Sequence, residues 1–391
     1  MKKKDVILII LGILFISFNL RAPITAVGSV VEMIQQEYAI SSAAAGFITT
    51  LPLIAFAVIS PFVAKISNKI GHSLTMMAGL ICILLGEICR SYTGVYGLYI
   101  GTAIMGVGIA IGNVIIPAII KLYFPKKVGA VTSLYTSGMC IFAAVGAGIS
   151  IPLAKGINLG WKNSLASWFI LTMVTVLIWL PQILKKGEKG KKVEKHESKT
   201  SVWKSPLAWW VTIFMGIQSF IFYSIVAWLP TIVVSKGMTD SFAGNMALMF
   251  QLMAIPATLL IPILSDKFKN QKGLSFVTCI IYMLGVITFL FANTQIMIII
   301  AIILMAIGMG GSISLSIAFI SLRSPNSTKA SELSGMSQSA GYLFAAVGPI
   351  LTGLIFDMKS SWTVPLVIFM ALIAALAVCG IFAGSDKTIE E

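Results

Sequence analysis

Twelve apolar runs, each about as long as a helix that crosses a bilayer, leave this chain little choice of fold. They cover roughly 6–34, 43–66, 73–91, 95–122, 129–154, 163–184, 205–235, 242–265, 274–292, 294–320, 330–357 and 361–383. Hydrocarbon offers backbone N–H and C=O groups no partner, so each run must close its own hydrogen bonds as a helix. A membrane barrel would need short alternating strands, and that pattern is missing. Only 11% of the residues are charged and the mean hydropathy is +0.96, against about a quarter charged in soluble chains. Lipid contact must replace the missing polar surface. The opening "MKKK" and its apolar run look like a secretory signal, but the run is too long and eleven more follow. It reads as an uncleaved first span.

The net charge of +14 would suit nucleic acid if it were spread evenly. Its placement excludes that partner. With the N-terminus inside and the spans alternating, 22 of the 28 Lys and Arg residues fall on inside segments and 5 on outside ones. The remaining one is Arg21. This is the positive-inside bias of a multi-pass protein of the cell membrane, with both termini cytoplasmic. The five cysteines fall within apolar spans without ligand spacing, so no disulfide framework or metal site is expected. His72 and His196 lie in loops, and nothing in the pattern calls for a cofactor.

The longest polar stretch is "KKGEKGKKVEKHESKTSVWK", Lys185 to Lys204, which cannot pack a core. It divides the chain into a six-helix bundle over 1–184, a cytoplasmic linker over 185–204 and a second bundle over 205–391. The halves repeat each other. "FAAVG" occurs at Phe142–Gly146 and again at Phe344–Gly348, an offset of 202. At that offset Gly106 and Gly108 fall on Gly308 and Gly310, and Lys121 on Arg323. Nearer the start of each half, Asn68 falls on Asp266 and Lys69 on Lys267 at an offset of 198. Two six-helix repeats related along the membrane normal resemble the major facilitator architecture, whose substrate site lies near the midplane between the halves. The expected fold is therefore an all-α membrane protein of twelve transmembrane helices in two pseudo-symmetric six-helix bundles. It is expected to act as a monomer. "NKIGH" at Asn68–His72 resembles a degraded copy of that superfamily's cytoplasmic latch loop. There Asn68 and Lys69 stand where the second half has Asp266 and Lys267, and the resemblance implies a gating role for all four.

Arg21 is a permanent cation inside an uncharged run from Val6 to Val31. Intramembrane charges are costly and mark pathways. Ser17, Arg21 and Thr25 recur every fourth residue and share a face, and Pro23 removes a backbone donor and bends the helix there. A polar stripe with a cation and a bend suits a helix beside a cavity. Equivalent faces of the fifth and eleventh spans carry Thr132, Thr136 and Cys140, and Ser334, Gln338 and Tyr342. The seventh span offers Gln218 for hydrogen bonding and Phe222, Tyr223 and Trp228 for stacking. The fourth places Asn113 deep in its run. Glu87 and Arg90, three apart near the outer end of the third span, are positioned to pair. No carboxylate is expected near the midplane, which leaves uniport, exchange or a proton carried with the substrate open.

"NLRAPITAVG", "GIAIGNVIIPAIIK", "QSFIFYSIVAWLP" and "GMSQSAGYLFAAVGPILTGLIFD" resemble, in this order, the cyanate permease family of the major facilitator superfamily. The resemblance implies a bacterial inner-membrane carrier associated with cyanate, a small anion, or with nitroimidazole export. It also implies that the arginine of "NLRAP", here Arg21, is the ligand-binding cation, with Asn19 of the same motif beside it. The expectation is a carrier of a small anionic or polar planar solute, working by alternating access in the bilayer. Arg21, Asn19, Asn113, Thr136, Gln218, Tyr223, Gln338 and Tyr342 would contact the solute. The alternative is an exporter of neutral drug-like compounds that leans on the aromatic wall. No nucleophile–base constellation suggests an enzyme.

Overall fold

The computed structural model describes residues 3–40, 42–184 and 201–390. Most of the linker expected over 185–204, up to position 200, lies outside the described residues, as do Met1, Lys2, Ser41 and Glu391. Among the described residues there are fourteen α-helices and no strand. Twelve stretches are long and apolar enough to cross a bilayer. The difference of two arises because the first and sixth spans are each broken in two.

The first span is α1 (Lys3–Asn19) and α2 (Ala22–Tyr38). The next four are α3 (Ser42–Ile70), α4 (His72–Tyr92), α5 (Gly94–Tyr123) and α6 (Val128–Ile151), the last prolonged by a π-helical turn at Pro152–Gly156. The sixth span is α7 (Gly160–Ala166) followed by α8 (Trp168–Leu184). The second half runs through α9 (Pro206–Ser235), α10 (Asp240–Ser265), α11 (Lys272–Phe291), α12 (Gln295–Leu322), α13 (Ser327–Lys359) and α14 (Thr363–Ala383). The chain groups into two compact units, Met1–Ile119 with Leu134–Lys199, and Ile120–Ser133 with Thr200–Glu391. The start of α6 therefore associates with the second unit, although the rest of that helix belongs to the first.

Large apolar side chains stand outward on many helices, among them Leu85, Leu177, Leu260 and Ile350, each more than half exposed. In water such a surface would be a liability; in a bilayer it is the solvated face. Inside each unit, close approach rather than hydrophobic gain must hold helices together, because lipid is as apolar as leucine. Glycines supply that approach. A Cβ on Gly86 of α4 would lie 2.6 Å from both Gly101 O and Met105 N of α5. In the second unit a Cβ on Gly285 of α11 would lie 2.5 Å from Met305 N of α12.

These contacts refine the repeat. Gly146 of α6 packs on Ala22 and Thr25, and Gly348 of α13 packs on Phe220 and Ser224, so the "FAAVG" glycines occupy equivalent places. The glycine pair of the fourth and tenth spans does not follow the same offset. Gly108 meets Ile83 of α4, whereas Gly308 meets Tyr282 of α11. That makes Gly308 the counterpart of Gly108, not of Gly106, a difference of two residues in register.

Each unit carries a polar clamp. Glu37 at the end of α2 accepts hydrogen bonds from Trp161 Nε1 and pairs with Lys162 Nζ, each at 2.5 Å. The Lys162 hydrogen bond holds the Glu37 carboxyl below its usual range, partly offset by desolvation. In the second unit Arg323 donates to Gln271 Oε1 and Ser385 O, while Ile389 N donates to Arg323 O at 2.9 Å. Burial lowers the Arg323 guanidinium to about 10, with nearby Asp386 opposing the shift. The clamp ties the last residues of the chain back onto α11 and α12.

Candidate functional site: a broken first span and a buried polar face

The helix of the first span stops at Asn19 and restarts at Ala22. Pro23, the second residue of α2, cannot donate to the carbonyl four residues earlier, and its ring crowds that carbonyl. The gap holds Leu20 and Arg21; Arg21 has φ −127° and ψ −44°, and no side chain caps the new helix. Arg21 O accepts from both Ile24 N and Thr25 N at 3.1 Å. The expected bend is thus a full break, with the cation set at the N-terminus of a half-helix. Such a terminus carries partial positive charge of its own.

The stripe expected around Arg21 is largely used up between helices. Ser17 is fully buried, bonds to Leu14 O at 2.6 Å, and sits where a Cβ on Gly138 of α6 would fall. Thr25 donates toward Ala143 O of α6 at 2.9 Å, and Ser29 to Ala147 O at 2.8 Å. The 3.6-residue period places these residues on one face; that face meets α6.

The other candidates of the first unit are buried. Asn19 is fully enclosed, its Nδ2 donating to Phe15 O at 2.8 Å and Thr175 Oγ1 at 2.7 Å. Its Oδ1 accepts from Thr172 Oγ1 at 2.7 Å. Asn113 on α5 accepts from the Tyr135 hydroxyl of α6 at 2.9 Å, and Thr136 lies buried one residue further along α6. Sequence reasoning missed Tyr135, since a lone tyrosine in an apolar run carries no signal of what it meets.

In the second unit α9 and α13 lie against each other, with Thr212 bonded to Ser337 at 3.1 Å and Met215 beside Gly341. Gln218 is buried; its Nε2 donates to Ser219 Oγ at 2.8 Å, and its Oε1 has no partner. Gln338 is also buried with an unpartnered Oε1. Tyr342 and Tyr223 meet edge to face with ring centres 6.5 Å apart, and Phe222 abuts Tyr223 at 4.9 Å. The structure thus gathers Gln218, Tyr223, Gln338 and Tyr342 on two adjacent helices. Trp228 is spent on packing, since its Nε1 donates to Pro349 O at 2.9 Å.

The four loop candidates differ by copy. In the second half Asp266 accepts from Gly129 N at 2.7 Å and Ala130 N at 2.9 Å, the orphan donors at the start of α6. Gly129 admits this approach because it has no Cβ to strike Pro262 O. Lys267 beside it is exposed. In the first half Asn68 is half-buried and Lys69 exposed, and the local bond is Ser67 Oγ to His72 Nδ1 at 2.5 Å across Gly71, whose φ is +92°. Asp266→Ala is expected to cost about 1 kcal/mol at this helix start. The check is amide hydrogen exchange, which should quicken at Gly129 and Ala130 and stay unchanged at the far end of α6.

An apolar hollow of 410 Å³, lined by Phe15, Phe142, Ile149, Trp168 and Leu171 among others, lies in the first unit. It touches none of the polar candidates.

A duplicated helical membrane protein with twelve spans, a broken first helix and buried polar faces on the seventh and eleventh spans defines a secondary transporter by class. The chain matches the model of the Major Facilitator Superfamily over residues 9–331 and 232–390. It is 44% identical to the uncharacterized transporter YycB of Bacillus subtilis, over 99% of this chain and 96% of that one. It is 36% identical to the 2-nitroimidazole transporter of Escherichia coli, over 99% and 98%, and 21% identical to the cyanate transport protein CynX of the same species, over 90% and 91%. The proton:xylose symporter XylE shares the fold, with a TM-score of 0.80 at 14% identity over 100% of this chain and 99% of that one. The protein belongs to the major facilitator superfamily, and within it to the cyanate permease and nitroimidazole transporter type.

Proposed function

We propose that the protein carries a small anionic or polar planar solute of the cyanate kind across the cell membrane by alternating access. Arg21 binds the electron-rich end through forked, charge-assisted hydrogen bonds. Asn113 and Thr136 of the first unit, and Gln218, Tyr223, Gln338 and Tyr342 of the second, supply further contacts. Asn19 acts from within the bundle. The observation that carries this reading is a guanidinium placed in a helix break at the N-terminus of α2. Cation and helix end add their positive potential at one point, a recurrent arrangement for anions in carriers. Asp266 and Lys267, with Asn68 and Lys69 of the first copy, form the gate, and Asp266 supports that role by holding the start of α6. The charge bias supports a cytoplasmic location for both termini, and the proposed working unit is a monomer.

The 36% identical relative named for 2-nitroimidazole favours a second reading, export of neutral nitro compounds. A nitro group presents two coplanar oxygens, as a carboxylate does, but without net charge. A thermal-shift screen of the purified protein separates the two. Cyanate and small carboxylates should raise Tm in the wild type and lose that effect in Arg21→Ala, and added salt should weaken them. A shift by 2-nitroimidazole alone, indifferent to salt and kept in Arg21→Ala, overturns the anion reading in favour of the second.

A further inference from the structure

Glu87 and Arg90 do not pair as their spacing suggests. Both are fully buried, and no salt bridge joins them. Arg90 turns instead to carbonyls, donating to Pro23 O at 2.6 Å and reaching Leu165 O at 3.5 Å, with Met105 Sδ at 3.4 Å. It sits in the last turn of α4, where exposed carbonyl ends favour a cation.

The hydrogen bonds around Glu87 decide its protonation. Phe15 O can only accept, so the Asn19 amide must point its Nδ2 there and its Oδ1 toward Thr172. Thr172 has one hydrogen, and Asn19 Oδ1 at 2.7 Å takes it. A weaker approach of Thr172 Oγ1, to Trp168 O at 3.5 Å, also meets an acceptor. Glu87 Oε2 lies 2.9 Å from the same hydroxyl oxygen. An ionised Glu87 would set two acceptors against each other there. A protonated one donates to Thr172 and completes the chain Glu87, Thr172, Asn19, Phe15 O. Glu87 Oε1, which has no partner, is tolerable on a neutral acid and far more costly on a buried anion.

We propose that Glu87 is a neutral carboxylic acid and that, with Arg90, it positions the break carrying Arg21. Through Thr172 it holds Asn19, the last residue of α1. Arg90 holds Pro23, in the first turn of α2. One segment of α4 thus grips both sides of the gap. The protonation and the grip stand independently of what Arg21 binds; their consequence for transport rests on the function proposed above.

Glu87→Gln separates an acid from an anion. Its amide N–H donates to Thr172 as the acid does, so Tm and cyanate uptake into proteoliposomes should stay close to wild type, whereas Glu87→Ala should lose both. Infrared spectra of the reconstituted protein at neutral pH should contain a protonated-carboxyl carbonyl band that Glu87→Gln removes. Thr172→Val keeps the two charged-type side chains and cuts the chain of bonds; uptake should fall about fivefold, the value of one buried hydrogen bond. The position of the break is read without any substrate from Arg21→Cys, by the rate at which a water-soluble thiol reagent modifies that site; adding Thr172→Val should change the rate. If Glu87→Gln is as damaging as Glu87→Ala and the band is absent, Glu87 is an anion and the proposal fails. If Thr172→Val leaves both thiol rate and uptake unchanged, the positioning role fails.

Discussion

Arg21→Lys is expected to cut cyanate uptake by roughly ten- to a hundredfold while Tm stays near that of the wild type. Lysine keeps the charge and loses the planar fork, so one of two parallel hydrogen bonds to the solute disappears. A hydrogen bond to a charged group is worth about 1.5–3 kcal/mol, and each 1.4 kcal/mol is about a factor of ten. Arg21→Ala should lose uptake altogether. Stability should hold because the contacts of Asn19 and Pro23 keep both sides of the break in place. Uptake by reconstituted Arg21→Ala with unaltered KM and maximal rate would remove the arginine from the binding site.

Gly86→Val should be strongly destabilising, by about 3 kcal/mol. The new Cβ would meet Gly101 O and Met105 N, both backbone atoms, at 2.6 Å. A flexible side chain could swing aside; a helix backbone cannot move without separating α4 from α5. The same segment carries Glu87 and Arg90, so uptake should fall together with Tm. Gly148→Val is the control, since a Cβ there meets nothing within 4 Å, and it should stay within about 0.5 kcal/mol of the wild type. Thermal unfolding in one detergent compares the two directly. Equal losses at Gly86 and Gly148 would show that glycine content, rather than close approach, governs stability.

The twelve spans were legible because the penalty for an unpaired backbone group in hydrocarbon is large and acts on every residue alike. Runs of apolar letters therefore map onto helices nearly one to one. The "FAAVG" repeat was legible for a similar reason: Gly146 and Gly348 are each required by a close approach, so both copies keep the letter. The break at Arg21 was half legible. Pro23 signals a disturbed helix, yet whether a proline bends or interrupts depends on whether neighbours take over the freed groups. Here Arg90 and Thr172, from elsewhere in the chain, hold the residues on either side of the gap.

Less legible was the company each polar residue keeps. Glu87 and Arg90 read as a local i,i+3 pair, because spacing along one helix is all that sequence displays. Their partners lie on α2, α5, α7 and α8. Ser17 and Thr25 both turn to α6, a neighbour that helical period could not name.

By itself, then, the sequence determined that this is a duplicated, twelve-span membrane protein with a cation in its first span. Each of those properties follows from local costs that bilayer and backbone impose residue by residue. Only the tertiary structure decided which helices share their polar groups, that Asn19 faces Glu87 through Thr172, and that Arg21 stands in a gap gripped from α4. Those are pairings between segments up to 160 positions apart, and helical periodicity says which way a side chain points without saying what waits there.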